Sequence, residues 1–120
     1  MHLRLELFPA DLDALFDFYT GVLAFEVERD ERTFDWPYVA LRRDEVRLGA
    51  VRAWDDPPPH RLPPHGVEIV LEVDEVHAER DRIVAAGWPL LEDLVDRPWG
   101  LTDFRLLDPD GHFLRITSRG

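Results

Sequence analysis

The stretch RPWGLTDFRLLDPDGHFLRITSR, which runs from Arg97 to Arg119, decides the fold. Two segments in which apolar residues recur, TDFRLLD and HFLRITS, flank the tetrapeptide Asp-Pro-Asp-Gly at 108–111. Proline and glycine stand there at positions that a tight turn favours. The stretch therefore predicts a loop, a strand, a turn and a last strand with Arg115 in its middle.

The same order of elements is written twice along the chain. In the first half LRLEL alternates as a strand, Asp11 or Asp13 can cap a helix, and AFEVER, FDWPYVALRR and EVRLGAVRAW follow as strands. In the second half GVEIVLEV is a strand, Asp74 opens a helix that Gly87 ends, and WPLLEDLV precedes the two strands quoted above. This pattern predicts an α+β fold of two βαβββ modules that form a cupped mixed sheet.

The chain of 120 residues is long enough for one domain of ordinary size. We expect a first module over residues 1–54, a linker over 55–65 and a second module over 66–120. The linker, DDPPPHRLPPH, holds five prolines in eleven residues. Because proline cannot donate to a strand ladder or continue a helix, we expect a stiff connection there.

The charge of the chain excludes some partners. The net charge is −11, from 25 acidic residues against 14 basic ones. Such a chain repels phosphate backbones, so no nucleic acid partner is expected, and a partner steered by the field is cationic; a solubility margin explains the charge equally well. The absence of a long apolar run, of a leader-like start and of cysteine predicts a cytoplasmic protein with no membrane segment.

Three segments together resemble the vicinal oxygen chelate superfamily, and the likeness covers nearly the whole chain. They are FYTGVLAFEV, VEIVLEVDEVHAERDRIVAAG and RPWGLTDFRLLDPDGHFLRI. The superfamily includes glyoxalase I, extradiol dioxygenases, fosfomycin-resistance enzymes and bleomycin-resistance proteins, and the last segment is most similar to the bleomycin-resistance branch. One departure is Ala24, because this chain reads LAF where LGF is usual. The resemblance implies a glyoxalase/bleomycin-resistance-like fold.

The resemblance also implies four positions for metal ligands, on the first and last strand of each module. When these positions are transferred to this chain one at a time, three of them fall at Arg4, Glu68 and Arg115. On the fourth strand the alignment leaves two registers open. In one register Arg47 and Gly49 point inward, and in the other Val46, Leu48 and Ala50 point inward.

Arginine is unsuited to these positions. A divalent metal needs donor atoms with free lone pairs, whereas guanidinium has five donors, no acceptor and a permanent positive charge. We therefore expect Arg4, Glu68 and Arg115 to line the cup as a salt-bridge cluster, with no metal and no cofactor.

Two enzymatic alternatives remain open. In the first, a metal-dependent glyoxalase- or dioxygenase-type enzyme would use Glu68 together with His2 or a residue of a partner chain to hold a Lewis acid. In the second, Glu68 would act as a base without a metal, although flanking arginines lower the proton affinity of a carboxylate. The other histidines, among them His112, are expected to be solvated.

Trp36 and Trp99 each lie beside a proline in an irregular segment, DWPY and RPWG. The resemblance implies that such loops line a drug groove, and further candidates for ligand contact are Phe34, Asp35, Glu68 and Asp103. A flat aromatic wall stacks on ring systems and attracts cations. The alternative for these tryptophans is contact with a second subunit.

The function that these residues favour is a metal-free binding protein of the bleomycin-resistance type. It would sequester a bulky, cationic aromatic small molecule in a groove at the interface of a homodimer, with no catalytic residue. The long linker could allow the two subunits to exchange modules.

Overall fold

A computed structural model describes residues 1–55 and 64–119. The chain divides into two compact units, Met1–Pro58 and Pro59–Gly120. Residues 56–63, which make up most of the predicted linker and include His60, lie outside the described residues. The stiffness of that linker and its part in module exchange therefore stay predictions.

The first unit has the elements β1 (Leu5–Leu7), α1 (Leu12–Asp17), a π-helical turn (Phe18–Val22), β2 (Glu26–Asp30), β3 (Val39–Arg43) and β4 (Val46–Ala50). Its four strands are ordered β1-β4-β3-β2, with β1 and β4 parallel and the other pairs antiparallel. The carboxylate of Asp11 caps α1 by accepting from the backbone N–H of Ala14 at 3.0 Å, which confirms the helix start.

The second unit has the elements β5 (Ile69–Val73), α2 (Val76–Ala85), β6 (Glu92–Asp96), β7 (Thr102–Leu107) and β8 (Phe113–Ser118). Its strands are ordered β5-β8-β7-β6, and only β5 and β8 are parallel. The predicted helix start at Asp74 is off by one residue. The cap position is Glu75, whose side chain makes no capping hydrogen bond, and the Asp74 carboxylate lies 3.4 Å from Nη1 of Arg119.

The two units confirm the predicted α+β fold of two βαβββ modules. None of the helices within residues 1–55 and 64–119 has the length and apolar character needed to cross a bilayer.

Each sheet has one apolar face and one polar face. The apolar faces carry fully buried side chains such as Leu41, Leu106 and Ile116. Residues that are paired across strands share a face of the sheet. The pairs that alternate with these buried residues therefore lie on the opposite face, which we call the polar face. The polar face of the first sheet includes Glu6, Glu26, Ala40, Arg42, Arg47 and Gly49, and that of the second sheet includes Val70, Glu72, Glu92, Asp103, Arg105, Arg115 and Thr117.

The turn predicted from DPDG is present and is held by Asp108. One oxygen of its buried carboxylate accepts from the backbone N–H groups of Asp110 and His112, at 3.0 and 2.8 Å. The other oxygen lies 2.8 Å from Nδ1 of His112. The expectation that His112 is solvated is therefore wrong, since this contact leaves only 17% of its side chain exposed.

The chain turns after the helical segment of each unit through a residue of positive φ. Gly87 takes this position in the second unit with φ +85°, and Ala24 takes it in the first with φ +57°. A left-handed backbone costs a residue with a Cβ about 1–2 kcal/mol, a strain that glycine escapes. The structure thus explains why a glycine is usual where this chain reads LAF.

We expect Ala24→Gly to raise the free energy of unfolding by about 1 kcal/mol, because glycine adopts this backbone without strain. Urea denaturation followed by circular dichroism measures the change. The matched control is Ala78→Gly in the exposed part of α2, which should lower stability by about 1 kcal/mol. A loss of stability in both variants would contradict the strain argument.

Candidate functional site

The loop between β2 and β3 presents exposed aromatic side chains. Backbone hydrogen bonds between Glu31 and Tyr38 close it, at 2.8 Å and 3.3 Å. At its tip Phe34 is 59% exposed and Trp36 is 84% exposed, and Asp35 between them is exposed as well. The structure therefore groups three of the predicted ligand-contact residues at one hairpin tip.

Arg32 fastens the base of this hairpin to the first helix. Its guanidinium donates to Asp30 at 2.8 Å and to Asp13 of α1 at 2.9 Å. The same group lies over the ring of Phe16, with its Cζ 3.8 Å from the ring centroid. The hydrogen bond from Arg32 is the main reason that the pKa of Asp30 is lowered. The tip thus stands on an anchored base.

The second unit presents Trp99 in the loop between β6 and β7. Arg97 closes this loop through backbone hydrogen bonds to Leu101 at 2.7 Å and to Gly100 at 3.0 Å. Next to the loop, the Thr102 hydroxyl donates to Asp96 at 2.6 Å. Trp99 is 62% exposed at the tip. The two tryptophans predicted for ligand contact are therefore both exposed on short, hydrogen-bonded loops.

Asp103 is a structural partner rather than an exposed carboxylate. Its side chain is 1% exposed, and Oδ1 accepts from Nε and Nη2 of Arg97 at 3.0 and 2.8 Å. The Arg97 guanidinium also pairs with Glu92. These hydrogen bonds raise the pKa of Arg97 above its ordinary value. Asp103 therefore acts on the Trp99 loop by holding the arginine at which the loop begins.

In the second unit the two predicted metal positions pair with each other. Nε of Arg115 lies 2.8 Å from Oε1 of Glu68, as a salt bridge between partly exposed side chains. The residue before β5 and the middle of β8 come together because Val70 pairs with Arg115 in the parallel register. The only competent donor at these positions is thus engaged by a cation.

In the first unit the equivalent positions are Arg4 and Gly49. The parallel pair Glu6 and Gly49 corresponds to the pair of Val70 and Arg115, which selects the fourth-strand register that includes Arg47 and Gly49. Arg4 lies one residue before β1, and its Nε is 2.8 Å from Oε1 of Glu6. The predicted grouping of Arg4 with residues of the second unit stays a prediction.

Gly49 leaves room for a carboxylate and a phenol. A Cβ at this position would collide with the Tyr38 hydroxyl and would lie 2.5 Å from a Glu6 carboxylate oxygen. The Tyr38 hydroxyl donates to Oε1 of Glu6 at 3.2 Å. Burial raises the pKa of Tyr38, and the charge of Glu6 raises it further.

These residues do not fit a divalent metal. Arginine and glycine side chains at three of the four positions offer no lone pair, and the carboxylate at the fourth pairs with Arg115. Among residues 1–55 and 64–119 no three His, Asp or Glu side chains converge as a ligand set, and His2 is exposed ahead of β1.

Sequence reasoning missed several members of these clusters. Arg4 and Glu6 stand two residues apart, so they share a strand face, and this signal was available. No local signal connects Tyr38 to Glu6, because the contact spans 32 residues of chain.

The other two tryptophans lie outside the two loops. Trp88 donates to the backbone oxygen of Leu107 at 2.8 Å, and Trp54 packs against Phe8 with ring centroids 5.7 Å apart.

The family model described as Glyoxalase/Bleomycin resistance protein/Dioxygenase superfamily matches residues 2–116. No curated protein matches the chain.

Solved structures share the fold at low sequence identity. TioX from Micromonospora sp. ML1 is 22% identical, with a TM-score of 0.80 and 98% of both chains covered. A lactoylglutathione lyase from Agrobacterium tumefaciens is 20% identical, with a TM-score of 0.74 over 98% of this chain and 92% of that one. A superfamily member from Sphaerobacter thermophilus DSM 20745 is 16% identical, with a TM-score of 0.73 over 99% and 97%. At these identities the likeness shows the fold alone.

We expect Gly49→Ala to lower the pKa of Tyr38 towards its ordinary value of about 10, because the new Cβ displaces Glu6 and opens the phenol to water. Absorbance of tyrosinate during an alkaline titration measures the shift, and Tyr38→Phe assigns it. Since only side-chain ends must move, stability should change by less than about 1 kcal/mol. An unchanged Tyr38 titration would contradict the packing described here.

The sign of the pH dependence follows from the raised pKa. Tyr38 stays protonated in the folded chain at a pH where the unfolded chain has lost that proton. Its contribution to stability is therefore complete below the ordinary tyrosine pKa and disappears as the pH rises through the folded pKa. The loss of stability at alkaline pH should therefore be smaller in Tyr38→Phe, and to a lesser extent in Gly49→Ala.

Metal loading should be near zero. We would incubate the protein with Zn, Mn, Ni and Fe(II), desalt it and measure metal per chain by elemental analysis. Arginine at two of the positions repels the ion, and glycine offers it nothing. Arg115→Glu, which places a carboxylate at this position and removes the cation, is the comparison variant. About one metal ion per unmodified chain would contradict this expectation.

Proposed function

The chain belongs to the Glyoxalase/Bleomycin resistance protein/Dioxygenase superfamily, and from this premise we propose that it is a metal-free small-molecule binding protein of the bleomycin-resistance type. It sequesters a bulky, cationic aromatic molecule and makes or breaks no bond. The observation that carries the proposal is the exposure of Phe34, Trp36 and Trp99 at the tips of two anchored loops.

Exposed tryptophans on anchored loops suit the binding of flat ligands. A ring that is already held in place loses little conformational entropy when it stacks on a ligand, so more of the contact energy appears as affinity. Arg32 anchors one loop through the first helix, and Arg97 anchors the other through Asp103. Exposed apolar side chains that lie together, as Phe34 and Trp36 do at one tip, mark interaction surfaces more often than single ones do.

The charge of the protein supports a cationic ligand. The net charge of −11 favours the approach of cations, and Asp35 stands between the two exposed rings of the first loop. Aromatic faces add a further attraction for a positive charge. A neutral ring system of the same shape would keep the stacking but lose both electrostatic contributions.

The alternative, a metal-dependent enzyme of the glyoxalase or dioxygenase type, has less support. It needs at least three donors at one point, and the corresponding positions of this chain hold arginine, glycine and a carboxylate paired with arginine. The likeness to a lactoylglutathione lyase is a likeness of fold and identifies no metal ligands in this chain.

We further propose that the ligand lies in a groove at the interface of a homodimer. Isologous dimers are the commonest oligomers, and such a dimer can cover exposed apolar groups and sheet edges, both of which occur in each unit. For each of these tryptophans, contact with a second subunit and contact with a ligand are compatible.

Titration calorimetry with acriflavine, a flat cation, tests the proposal against acridone, a neutral relative. Trp36→Ala and Trp99→Ala should each weaken acriflavine binding by about fivefold or more, because one aromatic contact is worth about 1 kcal/mol. Trp54→Ala is the matched control, since Trp54 is 80% exposed but lies outside both loops. Equal losses in all three variants, or equal affinity for acridone, would contradict the proposal.

A further inference from the structure

Two arginines are direct neighbours on the polar face of the second sheet. Arg105 of β7 and Arg115 of β8 are paired opposite each other in the antiparallel register. Such pairs bring their side chains within reach of each other, and like charges placed directly opposite destabilise a sheet. The carboxylates nearest to this pair are Glu92, which faces Arg105 from β6, and Glu68, which lies beside Arg115.

The donors of these two side chains are largely unused. Neither guanidinium donates a hydrogen bond to any residue within 1–55 or 64–119, and Nε of each is a buried atom without an acceptor. Nε of Arg115 is 2.8 Å from Glu68 Oε1, but its N–H does not point at that oxygen. Nε of Arg105 is 3.7 Å from Glu92 Oε1, and Glu92 is engaged by Arg97. Buried donors without acceptors are costly.

The pair is nevertheless within reach of a small molecule. The side chains of Arg105 and Arg115 are 30% and 27% exposed. The Arg105 guanidinium lies 5.6 Å from the centroid of the buried Phe113 ring, which supports its plane from one side. The two groups are thus positioned by the sheet beneath them and open to a ligand at their ends.

We propose that Arg105 and Arg115 form a binding site for the oxyanion group of a small molecule, a carboxylate or a phosphate. Both groups offer at least two acceptor oxygens to the planar forks of the two guanidinium groups. Glu68 is the internal competitor for Arg115. The site needs neither Trp36 nor Trp99, so it stands or fails separately from the binding of aromatic cations.

The test uses the full chain labelled with ¹⁵N, and it follows the arginine Nε–H signals. Benzoate and inorganic phosphate are titrated separately at constant ionic strength, with benzamide as the neutral control. We expect the Arg105 and Arg115 signals to shift together and to saturate with one or both anions, and the tighter anion identifies the ligand class. Benzamide should leave both signals in place.

Variants separate this site from general attraction of anions. Arg105→Gln and Arg115→Gln should each weaken binding by about tenfold or more, and the Lys variants, which keep the charge, should lose most of the affinity too. Arg80→Gln removes the same charge from the exposed pair with Asp93 and should have no effect. Backbone amide signals of β7 and β8 verify that each variant is folded.

Glu68→Gln provides a test of opposite sign. Removal of the competing carboxylate frees Arg115, so anion binding should tighten by about threefold, whereas a purely structural role of Arg115 predicts no gain. Three results would overturn the proposal. They are the absence of saturable shifts, equal weakening by Arg80→Gln, and binding that is unchanged or weaker in Glu68→Gln.

Discussion

In each unit the first strand pairs in parallel with the last strand, and the placement of the polar side chains depends on this pairing. A parallel pair needs a crossover, which the helical segment supplies, and it brings the two ends of a module side by side. Its register sets Glu6 beside Gly49 in the first unit and Val70 beside Arg115 in the second. A slip of one residue would move every one of these side chains to the other face of its sheet.

The two units place different chemistry on equivalent backbone positions. The first unit keeps glycine in the middle of its last strand, and the space is filled by Glu6 and Tyr38. The second unit has Arg115 there, next to Arg105. Both polar faces carry a pair of arginines, Arg42 and Arg47 on the first and Arg105 and Arg115 on the second. The faces differ at the position of Gly49, where the first holds a carboxylate and a phenol and the second holds a guanidinium group.

The sequence allowed much of the fold to be predicted, because its signals are local. The Asp11 cap and the turn held by Asp108 each depend on residues within four positions of one another. The site was harder, since its contacts span longer stretches. Burial of Asp103 requires Arg97 to fold back over it, and Tyr38 reaches Glu6 across the sheet. The pair of Glu68 and Arg115 was foreseeable only because the resemblance supplied the alignment of two distant strands.

An acidic protein can hold a useful cation pair only if its own carboxylates leave that pair partly free. On the second polar face Arg97 takes both Asp103 and Glu92, and Asp103 is buried so that no ligand can exchange for it. Arg105 is left with a distant contact to Glu92, and Arg115 with a partly exposed one to Glu68. An exposed ion pair is worth at most about 1 kcal/mol. A ligand oxyanion that satisfies donors on both arginines therefore displaces only these two weak contacts.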